Sequence, residues 1–232
     1  MARIIIFSGA GISAESGVHT FRDKDGLWEG HDIDEVCNYQ TWQRNYDAVH
    51  RFYDERRVAL GTVAPNDAHR LIADWERRYE VINVTQNIDD LFERAGCRDV
   101  IHLHGFLTEM RCYECDRRWD IGYRRHDTTL CPDAAQHHTL LKPSVIFFGE
   151  QAPLYQRLYT IFEDLADDDL IFVIGTSDAV VPFGHYLRHL PGRKFRVNPD
   201  PEYSDVYERE FTSTACAAVA EMDALVRAHM GG

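Results

Sequence analysis

The chain has 232 residues, 44% of them hydrophobic and 27% charged, with a formal net charge of −13 at pH 7. That composition supports one globular domain with a sizeable core, and no apolar run approaches the ~18 residues a bilayer span needs. The acidic balance excludes a broad nucleic-acid-binding face, which needs clustered Lys and Arg; a solvated, self-repelling surface accounts for it. No charged segment followed by an apolar leader is visible, so the expected compartment is the cytoplasm, with no membrane or nucleic acid as partner. In that setting the six cysteines point to thiols or metal rather than disulfides.

The first element in the chain is Arg3-Ile4-Ile5-Ile6-Phe7, a short β-branched apolar run that reads as a buried strand. It leads into Gly9-Ala10-Gly11 and a helix start. Such a junction lets backbone approach a pyrophosphate and turns free helix N–H groups toward negative charge. The spacing of Gly9, Gly11 and Gly17 departs from G-x-G-x-x-G, and taken alone it equally marks a tight turn. Further strands are expected at 81–84, 100–102, 144–148, 170–174 and 194–197, and helices at 41–60, 67–75, 88–95, 154–164 and 217–229. This alternation predicts an α/β fold, a Rossmann-like parallel sheet with helices on both faces. Two segments fall outside it: 25–65, helical and aromatic, and 109–142, rich in Cys and His. The expected organisation is a single domain whose large part comprises 1–24, 66–108 and 143–232, with a small part made of these two insertions. The ligand is expected between the insertions and the sheet's carboxyl edge.

Cys112-x-x-Cys115 has the form of a metal knuckle, and Cys131 follows after fifteen intervening residues, near the spacing at which a second ligand pair completes a zinc site. In place of a fourth cysteine the chain offers His137 and His138. A lone CxxC is also compatible with a redox pair, but the added Cys and His favour a closed, structural Cys3His zinc module.

Among the twelve histidines, His104 stands out because it ends a strand-like run just before Gly105. Imidazole exchanges protons near neutrality. His102 lies two residues earlier, and alternation would put both on one face; His102, His69 and His126 read as structural. Asn87 and Asp89 follow the strand at 81–84, where an amide and a carboxylate either cap a helix or bind a carboxamide and a ribose. Phe21 and Arg22 belong to a polar loop. Tyr53 and Arg56 are three apart on a predicted helix, so a phenol and a guanidinium share a face, a combination suited to a carboxylate.

Taken together, Gly-Ala-Gly-Ile-Ser-Ala-Glu-Ser-Gly-Val-His-Thr-Phe-Arg at 9–22 resembles the signature of the sirtuins, NAD-consuming protein lysine deacylases. Thr85-Gln86-Asn87-Ile88-Asp89, His104-Gly105, Lys142-Pro143-Ser144-Val145-Ile146-Phe147-Phe148-Gly149-Glu150 and Gly175-Thr176-Ser177 resemble the family's later motifs, in family order. The resemblance implies that His104 is the general base and that Asn87 and Asp89 place the nicotinamide end of NAD. It implies that Gln86 meets the nicotinamide ribose, that Phe21 covers the glycosidic bond and that Arg22 helps hold NAD. Gly9, Ala10, Gly11, Ser13, Gly175, Thr176, Ser177, Asn198 and, more loosely, Cys216 fall at cofactor-binding places. Asp178 stands where an apolar residue is more usual. Val145, Ile146 and Phe147 resemble the strand that pairs with the substrate backbone, a β-augmentation mode. Tyr53, Arg56 and Ala14 match the class III pattern for malonyl- and succinyl-lysine. In sirtuins the zinc is structural, and counting back from Lys142-Pro143 in the family pattern lands on His137, with His138 the alternative.

The implied reaction begins with the acyl oxygen attacking the nicotinamide ribose, and ends in free lysine, nicotinamide and O-acyl-ADP-ribose. The expectation is therefore a monomeric NAD-dependent deacylase carrying one structural zinc, acting on acylated-lysine proteins or peptides by desuccinylation, demalonylation and deacetylation. The rivals are an NAD glycohydrolase or ADP-ribosyltransferase on the same fold, and a non-catalytic NAD-sensing or protein-binding module.

Overall fold

In a computed structural model, residues 2–19, 27–28 (backbone only), 31–127, 130–133, 139–178, 180–201 and 204–231 are described. In chain order the strands are β1 (Ile4–Ser8), β2 (Leu27–Trp28), β3 (His31–Asp32), β4 (Val81–Thr85), β5 (Val100–His102), β6 (Gly105–Cys112), β7 (Arg118–Asp120), β8 (Leu141–Val145), β9 (Leu170–Ile174), β10 (Arg193–Val197) and β11 (Arg209–Phe211). The helices are α1 (Ile33–Val36), α2 (Tyr46–Leu60), α3 (Asp67–Glu76), α4 (Leu91–Ala95), α5 (Tyr155–Glu163), α6 (Phe183–Leu187) and α7 (Val219–Met230), with 3-10 turns at Ala10–Ile12 and Ala14–Ser16.

The main sheet runs β11-β10-β9-β1-β4-β5, all parallel. The chain starts at its centre, builds outward through β4 and β5, then crosses back and builds the other way through β9, β10 and β11. This is doubly wound order, and the reversal between β1 and β9 leaves a crevice at their carboxyl ends. β1 is buried at every position because both faces are covered. Ile4 and Ile6 point into one core with Ile72, Trp75 and Met222 of α3 and α7. Ile5 and Phe7 point into the other, with Leu158, Phe162 and Phe183 of α5 and α6. Side chains alternate across a strand, so one apolar run serves two layers.

A second, antiparallel sheet has the order β7-β6-β8. A third core, built on Trp42, Val49, Phe52, Tyr53 and Phe147, seats α2 against it. Within this core the buried Arg57 is bonded to Asp54 and donates to the Leu107 carbonyl at 2.8 Å.

Several elements differ from expectation. The strand expected at 144–148 lies earlier, at Leu141–Val145, and pairs antiparallel to β6 instead of joining the parallel sheet. Lys142 hides it in the sequence. Its charged head is buried because Nζ bonds the Val145 carbonyl and the Glu150 carboxylate. Residues 146–148 leave the ladder, with the Ile146 N–H donating to the His104 carbonyl and the Phe148 N–H to that of Cys37. β6, β7 and β11 carry no apolar run that would mark them as strands, because charged residues interrupt each of them. The helix expected from 41 starts at Tyr46 after a series of turns, and the one expected from 88 starts at Leu91.

Candidate active site

Two glycine turns interlock at the crevice. The Gly9 N–H donates to the Ile174 carbonyl at 3.0 Å and the Gly11 N–H to the Gly175 carbonyl at 2.8 Å. Gly175 has φ +63°, and a Cβ there would sit 2.4 Å from the Ile12 nitrogen and 2.6 Å from the Gly11 carbonyl carbon. Only glycine permits this approach. The first turn is also tied to the far end of the chain, because Glu15 accepts from Thr214 Oγ1 at 3.0 Å and from the Cys216 N–H at 2.9 Å. Asn198 is buried and holds the second turn by donating to the Thr176 carbonyl at 2.7 Å.

A cavity of about 880 Å³ opens at this junction, well within the range of small-ligand sites. Its walls come from the glycine turns (Gly9, Ala10, Gly11, Gly175, Thr176, Ser177), from Gln86, Asn87 and Asp89 after β4, from His104, from Arg56 on α2, and from 145–150 with Tyr155. The helical insertion therefore contributes as expected. Among the described residues of 109–142 none lines the cavity, since β6 and β8 carry them away from the crevice.

One buried network sets the floor. Ser13 Oγ donates to Asp89 Oδ2 at 2.9 Å and accepts from Asn87 Nδ2 at 3.2 Å. Burial raises the Asp89 carboxyl above its ordinary pKa, opposed by the Leu91 N–H and Ser13. Gln86 Nε2 donates to Thr176 Oγ1 at 3.2 Å and so spans the two halves of the sheet.

His102 and His104 do not share a face: β5 ends at His102, and a turn at 103–104 separates them. His102 reaches the Asn87 carbonyl at 2.7 Å and Glu93 Oε1 at 2.9 Å. Burial opposes its protonation, yet Glu93 and its other partners outweigh that and raise its pKa. His104 lines the cavity, with Nδ1 3.0 Å from the Gln86 carbonyl and Nε2 2.9 Å from the Tyr155 hydroxyl. Burial lowers its pKa against the pull of Gln86, so it stays neutral and able to take a proton.

At the other end of the cavity, the Arg56 guanidinium carbon lies 3.2 Å from the Phe52 ring centroid, and Nη1 donates to the Phe52 carbonyl at 2.9 Å. Tyr53 is fully buried and stacks on Phe147, with centroids 5.6 Å apart. Ala14 is exposed and outside the cavity wall. Val145, Ile146 and Phe147 line the cavity. Their loop is braced by Glu150, which accepts from the Phe147 N–H at 2.9 Å and from Lys142 Nζ at 2.8 Å. Burial pulls Lys142 down to about 8 in spite of Glu150.

The sulfurs of Cys112, Cys115 and Cys131 lie within 4.8 Å of one another, with Cys115 and Cys131 3.7 Å apart, and none is in a disulfide. Zinc–thiolate bonds of about 2.3 Å in a tetrahedron place sulfurs about 3.8 Å apart, so this set fits zinc. His137, His138, Phe21 and Arg22 lie outside the described residues.

The Sir2 family profile matches residues 9–182. The chain belongs to the Sir2 family. A Helicobacter hepaticus protein named NAD-dependent protein deacylase is 39% identical over 96% of both chains. Among solved structures, a Sir2 homologue in complex with ADP-ribose superposes with a TM-score of 0.86 at 32% identity, covering 99% of this chain and 93% of that one. A Sir2 homologue–NAD complex gives 0.82 at 33% identity, covering 97% and 90%. The Sir2 fold assigns the central sheet its Rossmann-like character and accounts for the interlocked glycine turns. Two features of this Sir2 site carried no signal in the sequence: what Glu15 of the signature holds, and Tyr155. The partners of Glu15 lie 199 and 201 positions away, and Tyr155 opens a helix with no motif around it.

Proposed function

We propose that this Sir2 protein removes acyl groups from protein lysines with NAD as co-substrate, accepting succinyl and malonyl groups as well as acetyl. The observation that carries the reading is the single cavity joining the glycine turns, the neutral imidazole of His104, Arg56 and the 145–150 loop. The relatives' name supports the reaction class, and the resemblance of the motifs supports the residue roles. The large part, 1–24, 66–108 and 143–232, carries the NAD end, and 25–65 with 109–142 form the small part. The reading includes a cytoplasmic monomer working on protein away from nucleic acid and membranes. The charge of −13 supports the former separation, and no helix among the described residues is long and apolar enough to cross a membrane.

In this reading NAD, when bound, supplies the electrophilic ribose carbon. Gly9, Ala10, Gly11, Gly175, Thr176 and Ser177 cradle its phosphates and adenosine side, with Ser13, Asn198 and Cys216 behind them. Asn87 and Asp89 orient the carboxamide end, and Gln86 orients the adjoining ribose. Phe21 excludes water while Arg22 adds charge. His104 Nε2 takes the proton of a ribose hydroxyl. Val145, Ile146 and Phe147 hold the peptide as an added strand. Zinc sits on Cys112, Cys115, Cys131 and His137 (or His138) and stabilises the small sheet without entering the chemistry. Purified protein is expected to carry one zinc by elemental analysis. Its removal by chelator is expected to lower the melting temperature and abolish turnover, because metal binding to such a module is coupled to folding. Full stability and activity in metal-free protein would refute this role.

Arg56, which lines the cavity, selects the acidic acyl group; Tyr53 is buried beneath that wall and Ala14 lies outside it, so the class III pattern they complete supports this selection by resemblance alone. Succinyl-, malonyl- and acetyl-lysine peptides, assayed with NAD on wild type and Arg56→Met, test the reading. Loss of a charge-assisted contact is expected to cut kcat/KM on the acidic groups about 10- to 100-fold, and on acetyl far less. Equal losses on all three would remove the selectivity. Without lysine release, plain ADP-ribose would make the protein a glycohydrolase, and ADP-ribose attached to an acceptor an ADP-ribosyltransferase.

A further inference from the structure

His104 is held at three points. Its carbonyl accepts from the Ile146 N–H at 2.8 Å, Nδ1 faces the Gln86 carbonyl at 3.0 Å, and Nε2 faces the Tyr155 hydroxyl at 2.9 Å. A carbonyl only accepts, so Nδ1 carries the hydrogen. In the neutral ring Nε2 then holds the lone pair, and Tyr155 is the donor. The two rings lie 29° from parallel, with centroids 6.0 Å apart. Tyr155 lines the cavity and is half-buried at the start of α5. Burial, with Tyr186 and Tyr159 nearby, pushes its phenol up to about 12, so it keeps its proton at neutrality.

The lone pair that must receive a ribose proton is thus already occupied before the dinucleotide enters. We propose that Tyr155 is a positioning residue that caps His104 Nε2 in the substrate-free enzyme and yields that place to the ribose hydroxyl when NAD binds. The exchange replaces one O–H···N hydrogen bond by another. No covalent bond changes and the phenol keeps its proton. The cap fixes the Nδ1–H tautomer, keeps the ring from swinging away, and disfavours protonation, since a hydrogen bond to the neutral form lowers the pKa. This inference rests on the deacylase reading for the identity of the incoming hydroxyl.

Other titratable groups around the cavity are Asp89 after β4, Glu55 and Arg56 on α2, Cys37 after α1, Glu150 on the substrate loop, His19, and His31 on β3, whose ring packs edge-on to Phe52. Tyr159 and Tyr186 stand behind Tyr155. Burial lowers the His104 pKa and the Gln86 carbonyl raises it; the Tyr155 hydroxyl is the hydrogen-bond partner at Nε2.

Tyr155→Phe keeps the ring and deletes the donor. In protein labelled with 15N-histidine, the variant is expected to raise the His104 pKa of the free protein by about half to one unit. Saturating NAD is expected to erase the difference. In kinetics, the acid limb of kcat/KM, which reports free enzyme, moves up by the same amount, while that of kcat stays in place. A mere packing role would not separate the two limbs. An unchanged His104 titration in free Tyr155→Phe overturns the cap, and a difference that persists under NAD overturns the displacement. The wild type supplies a second check that needs no variant: an Nε2–H tautomer in the free protein would also overturn the proposal. These titrations require no turnover. Failure on every acylated peptide would therefore sink the deacylase reading while leaving the cap decided by the spectra.

Discussion

His104→Ala is expected to lower kcat/KM on acylated peptides by at least ~10²-fold and up to ~10⁴-fold, the range a positioned general base contributes. The argument is geometric first. The imidazole lines the cavity beside Gln86 and Asn87, and Nδ1 is committed to the Gln86 carbonyl, which aims Nε2 at the ligand space. The electrostatics agree. Burial lowers the pKa below the ordinary 6.5, so the ring is unprotonated and basic throughout the neutral range. The sign follows: wild-type activity should fall only on acidification below that ordinary value, as the base becomes protonated. The variant should lose that limb together with its rate. Steady-state kinetics over pH, with melting temperature as a folding control, make the check. Unaltered turnover in the alanine variant would overturn the assignment.

Gly105→Ala is expected to destabilise the protein by about 3 kcal/mol or more, combining left-handed strain with backbone overlap. Gly105 has φ +86°, and a Cβ on it would lie 2.1 Å from the Ser144 carbonyl oxygen and 3.1 Å from Val145 Cα. Both neighbours are main chain, so no side chain can swing aside. The residue also pairs with Val145 across β6 and β8 and follows His104 directly, so any accommodation moves the base and the substrate loop together. Gly122→Ala is the matched control. It has φ +61° and nothing within 4 Å of a Cβ, so only the backbone preference of about 1 kcal/mol is lost. Urea unfolding of both variants separates strain from collision. A Gly105→Ala protein no less stable than Gly122→Ala would refute the close approach.

Much of the sheet was legible because its strands are short apolar runs buried on both sides. Ile4–Phe7 and Leu170–Ile174 have no other reading at that length. The half-buried pieces were not legible. β6 alternates Glu109 and Arg111 with Met110 and Cys112, and a buried Lys142 disguises β8. The motif residues His104, Asn87 and Asp89 were legible as candidates from local residue type, and the fold brings them to one cavity. The Cys112, Cys115 and Cys131 cluster was readable from spacing alone. Contacts made through distant partners were not. Nothing near Tyr155 announces that its hydroxyl meets an imidazole 51 positions earlier, and the turn separating His102 from His104 has no clear mark besides Gly105.

β1 lies inside the sheet between β4 and β9, and both of these neighbours follow it in the sequence. Its neighbour Leu170, opposite Ile4, is synthesised about 10–30 seconds later at ordinary translation rates. Until β4 is made both edges of this Ile-Ile-Ile-Phe segment are unsatisfied, and from then until β9 emerges the edge toward β9 stays open, the kind of strand that pairs with other chains. Biosynthesis of this enzyme is therefore most vulnerable at β1, and a holdase that shields this strand until β9 emerges would raise the yield of folded protein.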